Sequence, residues 1–378
     1  MNKSLNKKDL QSFFESLMGE YTLIGPVKKQ NHTVFDKIGS FEELEWGIRP
    51  DYSFRKFFFP PKETMFEFKG NKIDANDETE KRIIILRPCD ANALALLDRI
   101  FLTKSKDPYY KKKRENTLIF VFRCKESGEN CFCTSMNTDK TTNFDLQFTD
   151  IGERYLVEVK PGSSEIAQSK LFEPIMREGE SKLKCKRNMV VPHDFVSNFN
   201  HPAWKKNADD CLFCCACLTV CPTCHCYDVD DEVNIDLKSG KRVRDWHFCY
   251  LKDFTRVAGD HVFRDEPEKR YRNRFYCKLK YLRDKYGKQG CVGCGRCIDI
   301  CPAELDFIEN VNDLNSPSGQ EDQEKGAEEK PTEKQEPKSS PEHKKDSKAK
   351  RKAGSKPKKK AKAPGKKGKA AKKGSKRT

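Results

Sequence analysis

Four cysteines spaced C-x2-C-x2-C-x3-C, Cys211, Cys214, Cys217 and Cys221, stand ahead of Pro222. The same spacing returns as Cys291, Cys294, Cys297 and Cys301 ahead of Pro302. Stated twice, this pattern restricts the fold more than anything else in the 378 residues. A short loop with a cysteine at every third position wraps three thiolates round one side of an iron-sulfur cubane, and the fourth has to come from elsewhere. In two-cluster ferredoxins the last cysteine of each run ligates the other cluster. The spacing therefore assigns Cys211, Cys214, Cys217 and Cys301 to one [4Fe-4S] cluster, and Cys221, Cys291, Cys294 and Cys297 to a second. Each proline, with a fixed φ and no amide hydrogen, turns the chain away from its loop.

Two plainer readings compete. Structural zinc usually takes two C-x2-C pairs separated by a spacer, not three cysteines at x2, x2 with a C-x3-C-P ending. Disulfides need an oxidising compartment, and the polar, basic start MNKSLNKKDL lacks the apolar core of a signal peptide. No run approaches the roughly eighteen apolar residues of a membrane span. A cytoplasmic, reducing and anaerobic setting is expected.

Length suggests two or three units at about 150 residues each. Charge is uneven: the net +16 of the chain is supplied by residues 344–378, where 18 Lys or Arg face the single acid Asp346. The division expected is a mixed α/β domain at 1–205, a mainly helical ferredoxin-like domain with two [4Fe-4S] clusters at 206–310, and a disordered polyampholyte and Lys-rich tail at 311–378.

In the first domain, Leu5, Leu10, Phe13, Phe14, Leu17 and Met18 predict an amphipathic helix over 5–18. FRKFFFPPKETMFEF reads as strand, turn, strand. Residues 83–86 and 117–122 read as buried strands, with shorter ones at 145–149 and 155–159. After the first of these, Asp90 is placed to cap a helix through ANALALLDRIF. Cys89, Cys124, Cys131 and Cys133 thus fall at the carboxyl ends of two neighbouring strands, where α/β sheets gather their sites. They have two readings: ligands of a third cluster or metal, or buried small hydrophobes. Their irregular spacing favours the second.

Thirteen of the 18 cysteines lie between Cys211 and Cys301, with 69 residues separating the two motifs. Within that separation WHFCYLKDFTRVAG and YRNRFYCKLKYLRDKYG predict helices that pack aromatics round the clusters and turn Lys and Arg outward. Cys215, Cys224, Cys226 and Cys249 either form another site or line the cluster cavity, and cavity lining is the commoner fate. His225 and His247 read as hydrogen-bonding or packing residues. Arg296, between Cys294 and Cys297, is a charge that would tune a cluster potential.

Beyond Phe307 no aromatic occurs. Such sequence cannot bury enough apolar surface to offset its ordering entropy. The Lys block would attract nucleic acid, acidic protein or anionic lipid, and without stacking aromatics any nucleic-acid binding would be nonspecific. No G-x-G-x-x-G follows a predicted strand and no P-loop is present, so flavin and nucleotide would sit on a partner.

RPCDANALALLDRIF, DPYYKKKRENTLIFVFRC, CFCTSM, CPTCHCYDV, RDWHFCYLKDFTRVAGDHVFRDE and CVGCGRCIDICP together resemble the iron-sulfur beta subunit of cytosolic sulfhydrogenases, which are nickel-iron hydrogenases, and the similar A subunit of anaerobic sulfite reductases. The resemblance covers about residues 1–310. It implies an electron-transfer subunit rather than a catalytic one, relaying single electrons through two [4Fe-4S] clusters. The expected partners are a flavin- and nicotinamide-binding subunit holding FAD and NAD(P), and a hydrogenase or sulfite reductase catalytic subunit. A heterodisulfide-reductase-associated subunit is a further alternative. An iron-sulfur protein bound to nucleic acid through its tail is another, from a different class. Members of the family carry cysteines corresponding to Cys89, Cys124, Cys131 and Cys133, which strengthens the third-centre reading. Where members often have a second Gly after Gly259, this chain has Asp260.

Overall fold

In a computed structural model, residues 2–315 are described apart from 48, 76–79, 164, 178 and 181. The strands of the N-terminal region are β1 (Lys3–Asn6), β2 (Thr22–Lys29), β3 (His32–Lys37), β4 (Lys62–Lys69), β5 (Lys72–Asp74), β6 (Arg82–Leu86), β7 (Thr117–Phe122), β8 (Leu146–Asp150), β9 (Arg154–Val159) and β10 (Phe172–Pro174). Eight of them form one sheet in the order β10-β1-β9-β8-β7-β6-β2-β3. Its centre is parallel, β2 to β6 to β7 to β8, and its flanks are antiparallel.

Past their first residues, Arg82 and Thr117, the central strands β6 and β7 are apolar at every position because both faces are covered. Ile83, Ile85, Phe120 and Phe122 pack on the side of helix α1 (Leu10–Leu17). Ile84, Leu86, Ile119 and Val121 pack on the other side, against α2 (Pro88–Leu102). Burying each such side chain is worth about 1.5–3 kcal/mol. The strands expected at 83–86, 117–122, 145–149 and 155–159 all form, within a residue or so of those bounds. A short α3 (Pro108–Glu115) leads into β7.

Three local expectations are corrected. Leu5 lies in β1 instead of a helix, paired with Phe172 on one side and Tyr155 on the other, so the sheet edge recruits the terminus and the helix starts only at Leu10. The first half of FRKFFFPP is a 3₁₀ turn, Phe54–Phe57, not a strand. Asp90 does not cap α2: Pro88 opens that helix, and the Asp90 carboxylate is spent on Arg296.

The cysteine-rich region contains α4 (Ala203–Asp209), α5 (Ala216–Thr219), α6 (Pro267–Tyr276), α7 (Leu282–Tyr286), α8 (Arg296–Asp299) and α9 (Phe307–Asn312). It also contains β11 (Tyr227–Val233), β12 (Ser239–Trp246), β13 (Arg256–Val257) and β14 (His261–Val262), so it is not mainly helical. β11 and β12 continue the β4–β5 hairpin into a four-stranded sheet, order β11-β12-β4-β5, so strand pairing crosses position 205. WHFCYLKDFTRVAG is therefore a strand end, a 3₁₀ turn and β13, not a helix. The chain reverses into β14 through Gly259 and Asp260, both at positive φ, and Asp260 pairs with Arg256. YRNRFYCKLKYLRDKYG is helical as expected, with a π turn at Cys277–Tyr281 joining α6 to α7. Of the 311–378 tail, residues 311–315 close α9 and a 3₁₀ turn, and the remainder lies outside the described residues.

Candidate iron-sulfur centre

The two cysteine loops have one backbone course. Two and four residues past the first cysteine, φ is positive: Phe213 at 49° and Cys215 at 63° in one loop, Gly293 at 62° and Gly295 at 76° in the other. These turns aim amides inward. The Phe213 N–H donates to Cys211 Sγ and the Gly293 N–H to Cys291 Sγ, both at 3.4 Å. Each loop then runs into a short helix, α5 or α8. Only the second loop requires glycine. A Cβ on Gly293 would lie 2.6 Å from the Phe132 carbonyl, and one on Gly295 2.6 Å from the Asn130 carbonyl carbon. In the first loop the Phe213 ring finds space against Tyr250, 5.1 Å away.

Cys211, Cys214 and Cys217 line a cavity together with Cys301 of the other loop, and Cys301 accepts from the Leu305 N–H. Cys301 acts electrostatically on Cys211 and Cys217, and Cys221, which stands between the two loops, acts on Cys291 and Cys294 and also on Cys217. Burial pushes the Cys211, Cys217, Cys294 and Cys297 thiols up, and that of Cys291 to about 12. Such thiols give up their protons only against compensating positive charge. Cys221 runs the other way: the adjoining Cys224 thiol and the Lys278 ammonium hold it down, while Cys221 and burial push Cys224 up.

Buried cations surround the loops. Lys278 is driven down by burial but further up by Cys221, Cys224, Cys277 and Cys291, and it donates to Thr223 Oγ1 at 2.7 Å. Arg274 is likewise held charged against burial, beside Cys217 and Cys297, and its Nε has no partner among the described residues. Arg55 stacks on Trp246 at 3.6 Å and donates to the carbonyls of Cys224, Leu218 and Thr219. Arg270, Arg272, Arg274 and Lys278 are buried, against the expectation that this helix turns its cations outward. An unpartnered guanidinium N–H and a buried ammonium facing inward thiols suit a bound group with net negative charge, which a cluster held by four thiolates carries. The donor set thus fits the group.

Arg296, expected as a free tuning charge, is instead neutralised by Asp90 through bonds of 2.6 and 2.9 Å, and it also holds the Pro50 carbonyl. His225 lends its ring to the Thr223 carbonyl, and burial holds it down at about 4. His247 faces Asp228.

The remaining cysteines form two groups. Cys124, Cys131 and Cys133 are brought together, joined by Cys185, whose Sγ is 3.6 Å from that of Cys133. Cys89 stands nearer Asp90, Cys294 and Arg296, with Cys133 also within its electrostatic reach. Cys226, Cys249 and Cys277 face one another on the far side of Lys278. Sequence reading missed Cys185, Cys277, Arg55, Arg274 and Lys278. The density of cations within YRNRFYCKLKYLRDKYG was the available signal for the last two. Among the described residues no three His, Cys, Asp or Glu converge closely enough for a single metal ion, and no helix is long and apolar enough to cross a membrane.

Two four-cysteine loops of one geometry are what a dicluster iron-sulfur protein carries, and residues 210–305 match the family described as the 4Fe-4S dicluster domain. The chain is 30% identical over 332 residues to the sulfhydrogenase 2 beta subunit of Pyrococcus furiosus, covering 82% of this chain and 97% of that protein. The chain belongs to the sulfhydrogenase beta-subunit family.

Proposed function

We propose that this chain is the electron-relay subunit of a cytoplasmic, sulfhydrogenase-type multi-subunit oxidoreductase. One [4Fe-4S] cluster is held by Cys211, Cys214, Cys217 and Cys301, and the other by Cys221, Cys291, Cys294 and Cys297. The observation that carries this reading is Cys301 lining the cavity of the first loop while Cys221 faces the second. A bound [4Fe-4S] cluster takes up and releases one electron at a time. The chain's own groups set how readily. Amides at Phe213, Gly293 and Leu305 donate to cysteine sulfur, and Arg274 and Lys278 offset negative charge. Cys214 is exposed and Leu212 beside it is 66% exposed, so the first cavity reaches the surface where a partner would exchange electrons. The partners this reading requires are a subunit carrying FAD and an NAD(P) site, and a hydrogenase catalytic subunit.

Cys221→Ser or Cys301→Ser, assayed by iron content and EPR, should damage the cluster held mainly by the opposite loop. Variants that each lose only the cluster of their own loop refute the crossed scheme. Anaerobic co-purification addresses the complex: a nickel-iron large subunit supports this reading, and a sirohaem subunit would replace it with the sulfite-reductase one. The 18 bases of residues 344–378 favour a second role, polyanion binding. A chain ending at Asn315 that keeps its partners and loses affinity for nucleic acid makes the tail an accessory.

A further inference from the structure

The cavity that Cys211, Cys214, Cys217 and Cys301 share has one polar side chain in its wall that the relay reading leaves without a task, Tyr250. The residue follows β12 and is 2% exposed. Its ring is held on two sides, stacked on Tyr271 with centroids 6.0 Å apart and tilted against Phe213 of the first loop at 5.1 Å. The loop that supplies three of the cysteines therefore also fixes the tyrosine.

The Tyr250 hydroxyl is buried and has no hydrogen-bond partner among the described residues. A buried tyrosine normally finds one, because its hydroxyl has given up water to enter the core. Its neighbours obey that rule. The Tyr276 hydroxyl donates to the Phe195 carbonyl at 2.6 Å, and the Tyr271 hydroxyl accepts from Asn310 Nδ2 at 2.7 Å. The other side chains lining the cavity are committed or apolar: Cys215 Sγ donates to the Phe213 carbonyl at 3.5 Å, and the remaining thiols are those assigned to the cluster. Arg274 stands 5.9 Å from the Tyr250 ring centre and is held up by its hydroxyl, without a hydrogen bond of ordinary geometry between them. Burial pushes the phenol up, and Cys217 and Cys211 act on it in the same direction, so near neutrality it keeps its proton and is a donor.

We propose that the Tyr250 hydroxyl donates a hydrogen bond to sulfur of the [4Fe-4S] cluster in this cavity and thereby raises the potential of the first centre. The inference rests on the assignment of Cys211, Cys214, Cys217 and Cys301 to one cluster and adds a residue to it. A reduced cluster carries one more negative charge than an oxidised one, so a donor aimed at its sulfur stabilises the reduced form more. No bond forms or breaks at Tyr250: the electron comes from and returns to the partner subunits, and the phenol proton stays on its oxygen.

The test is an EPR-monitored redox titration of the full chain, reconstituted without oxygen, as wild type, Tyr250→Phe and Tyr276→Phe. Cys301→Ser, expected to damage the first cluster, identifies its signal. In Tyr250→Phe the ring stays in place and iron content should hold, while the electron affinity of the first centre falls about tenfold, a potential about 59 mV lower. The second centre should not move. Tyr276→Phe takes a hydroxyl from the same core and should lower unfolding stability with both potentials unchanged. Replacing tyrosine throughout by 3-fluorotyrosine, a more acidic phenol, should raise the first potential, and it decides the matter if Tyr250→Phe loses iron. A change under about twofold in Tyr250→Phe, equal movement of both centres, the same shift in Tyr276→Phe, or an unmoved first potential in the fluorinated chain overturns the role of Tyr250 and leaves the cluster assignment standing. A chain that takes up no iron, or a Cys301→Ser variant with both signals intact, overturns the assignment and the proposal with it.

Discussion

Asp90→Asn probes the lock between the large sheet and the second cysteine loop. Arg296 and Asp90 are both fully buried, bonded at 2.6 and 2.9 Å, and Arg296 Nε is taken by the Pro50 carbonyl. In the variant the amide oxygen can accept from one guanidinium nitrogen, but the other loses its acceptor and the cation loses its counter-charge. Breaking a buried pair by removing one partner costs about 3–5 kcal/mol. Complete burial of both groups puts the expectation at the upper end. The assay is urea unfolding without oxygen, followed by far-UV circular dichroism and by visible absorbance. At a slope of about 3 kcal/mol per molar urea, the midpoint should fall by about 1–1.7 M. Asp90→Asn with Arg296→Met, which removes both charges, should recover most of that, because two apolar or neutral groups carry no stranded ion. The single variant also leaves one more positive charge beside Cys294, raising the potential of the second centre by an amount on the order of tens of millivolts. A midpoint change under about 0.3 M in the single variant, or a double variant no more stable than the single, refutes the reasoning.

Gly295→Ala forces both a positive φ and a clash with the Asn130 carbonyl, and should cost about 2–5 kcal/mol in thermal or urea unfolding. Gly70→Ala, at φ 57° in open space, should cost only about 1 kcal/mol. Arg274→Met removes a buried cation beside Cys217 and Cys297, so EPR-monitored titration should find cluster potentials lowered. His225 is held down at about 4 by burial and then by Lys278, so between pH 6.5 and 4 the unfolded chain binds a proton that the folded chain refuses. Its contribution to stability is intact above pH 6.5 and is lost as pH falls towards 4, by up to about 3 kcal/mol. His225→Gln should flatten that slope in urea midpoints measured across the range, and an unchanged slope excludes His225 as its source.

How far the site was legible follows from what is local to the chain. Eight cysteines, their spacing, and the proline behind each run can be read from two stretches of twelve residues. The loop geometry at Phe213, Cys215, Gly293 and Gly295 then follows, because three thiolates on so short a segment force the same turns. β6 and β7 were legible for a similar reason: a run of Ile, Val and Phe without alternation fits only a strand covered on both faces. Cation direction was not legible. YRNRFYCKLKYLRDKYG has the pattern of a surface helix, yet Arg274 and Lys278 turn inward because thiols from two other segments, the two cysteine loops, meet them there.

The sequence by itself determined that this protein carries two four-cysteine loops and the two buried apolar strands β6 and β7, since both rest on patterns spanning a dozen residues or fewer. Only the tertiary structure decided that β12 pairs with β4, that Asp90 answers Arg296 across 206 positions, and that Cys185 joins Cys133 across 52. The backbone of the second loop likewise packs against Phe132 with no side chain between. A contact of that kind depends on how the folded surfaces fit, which no local periodicity encodes.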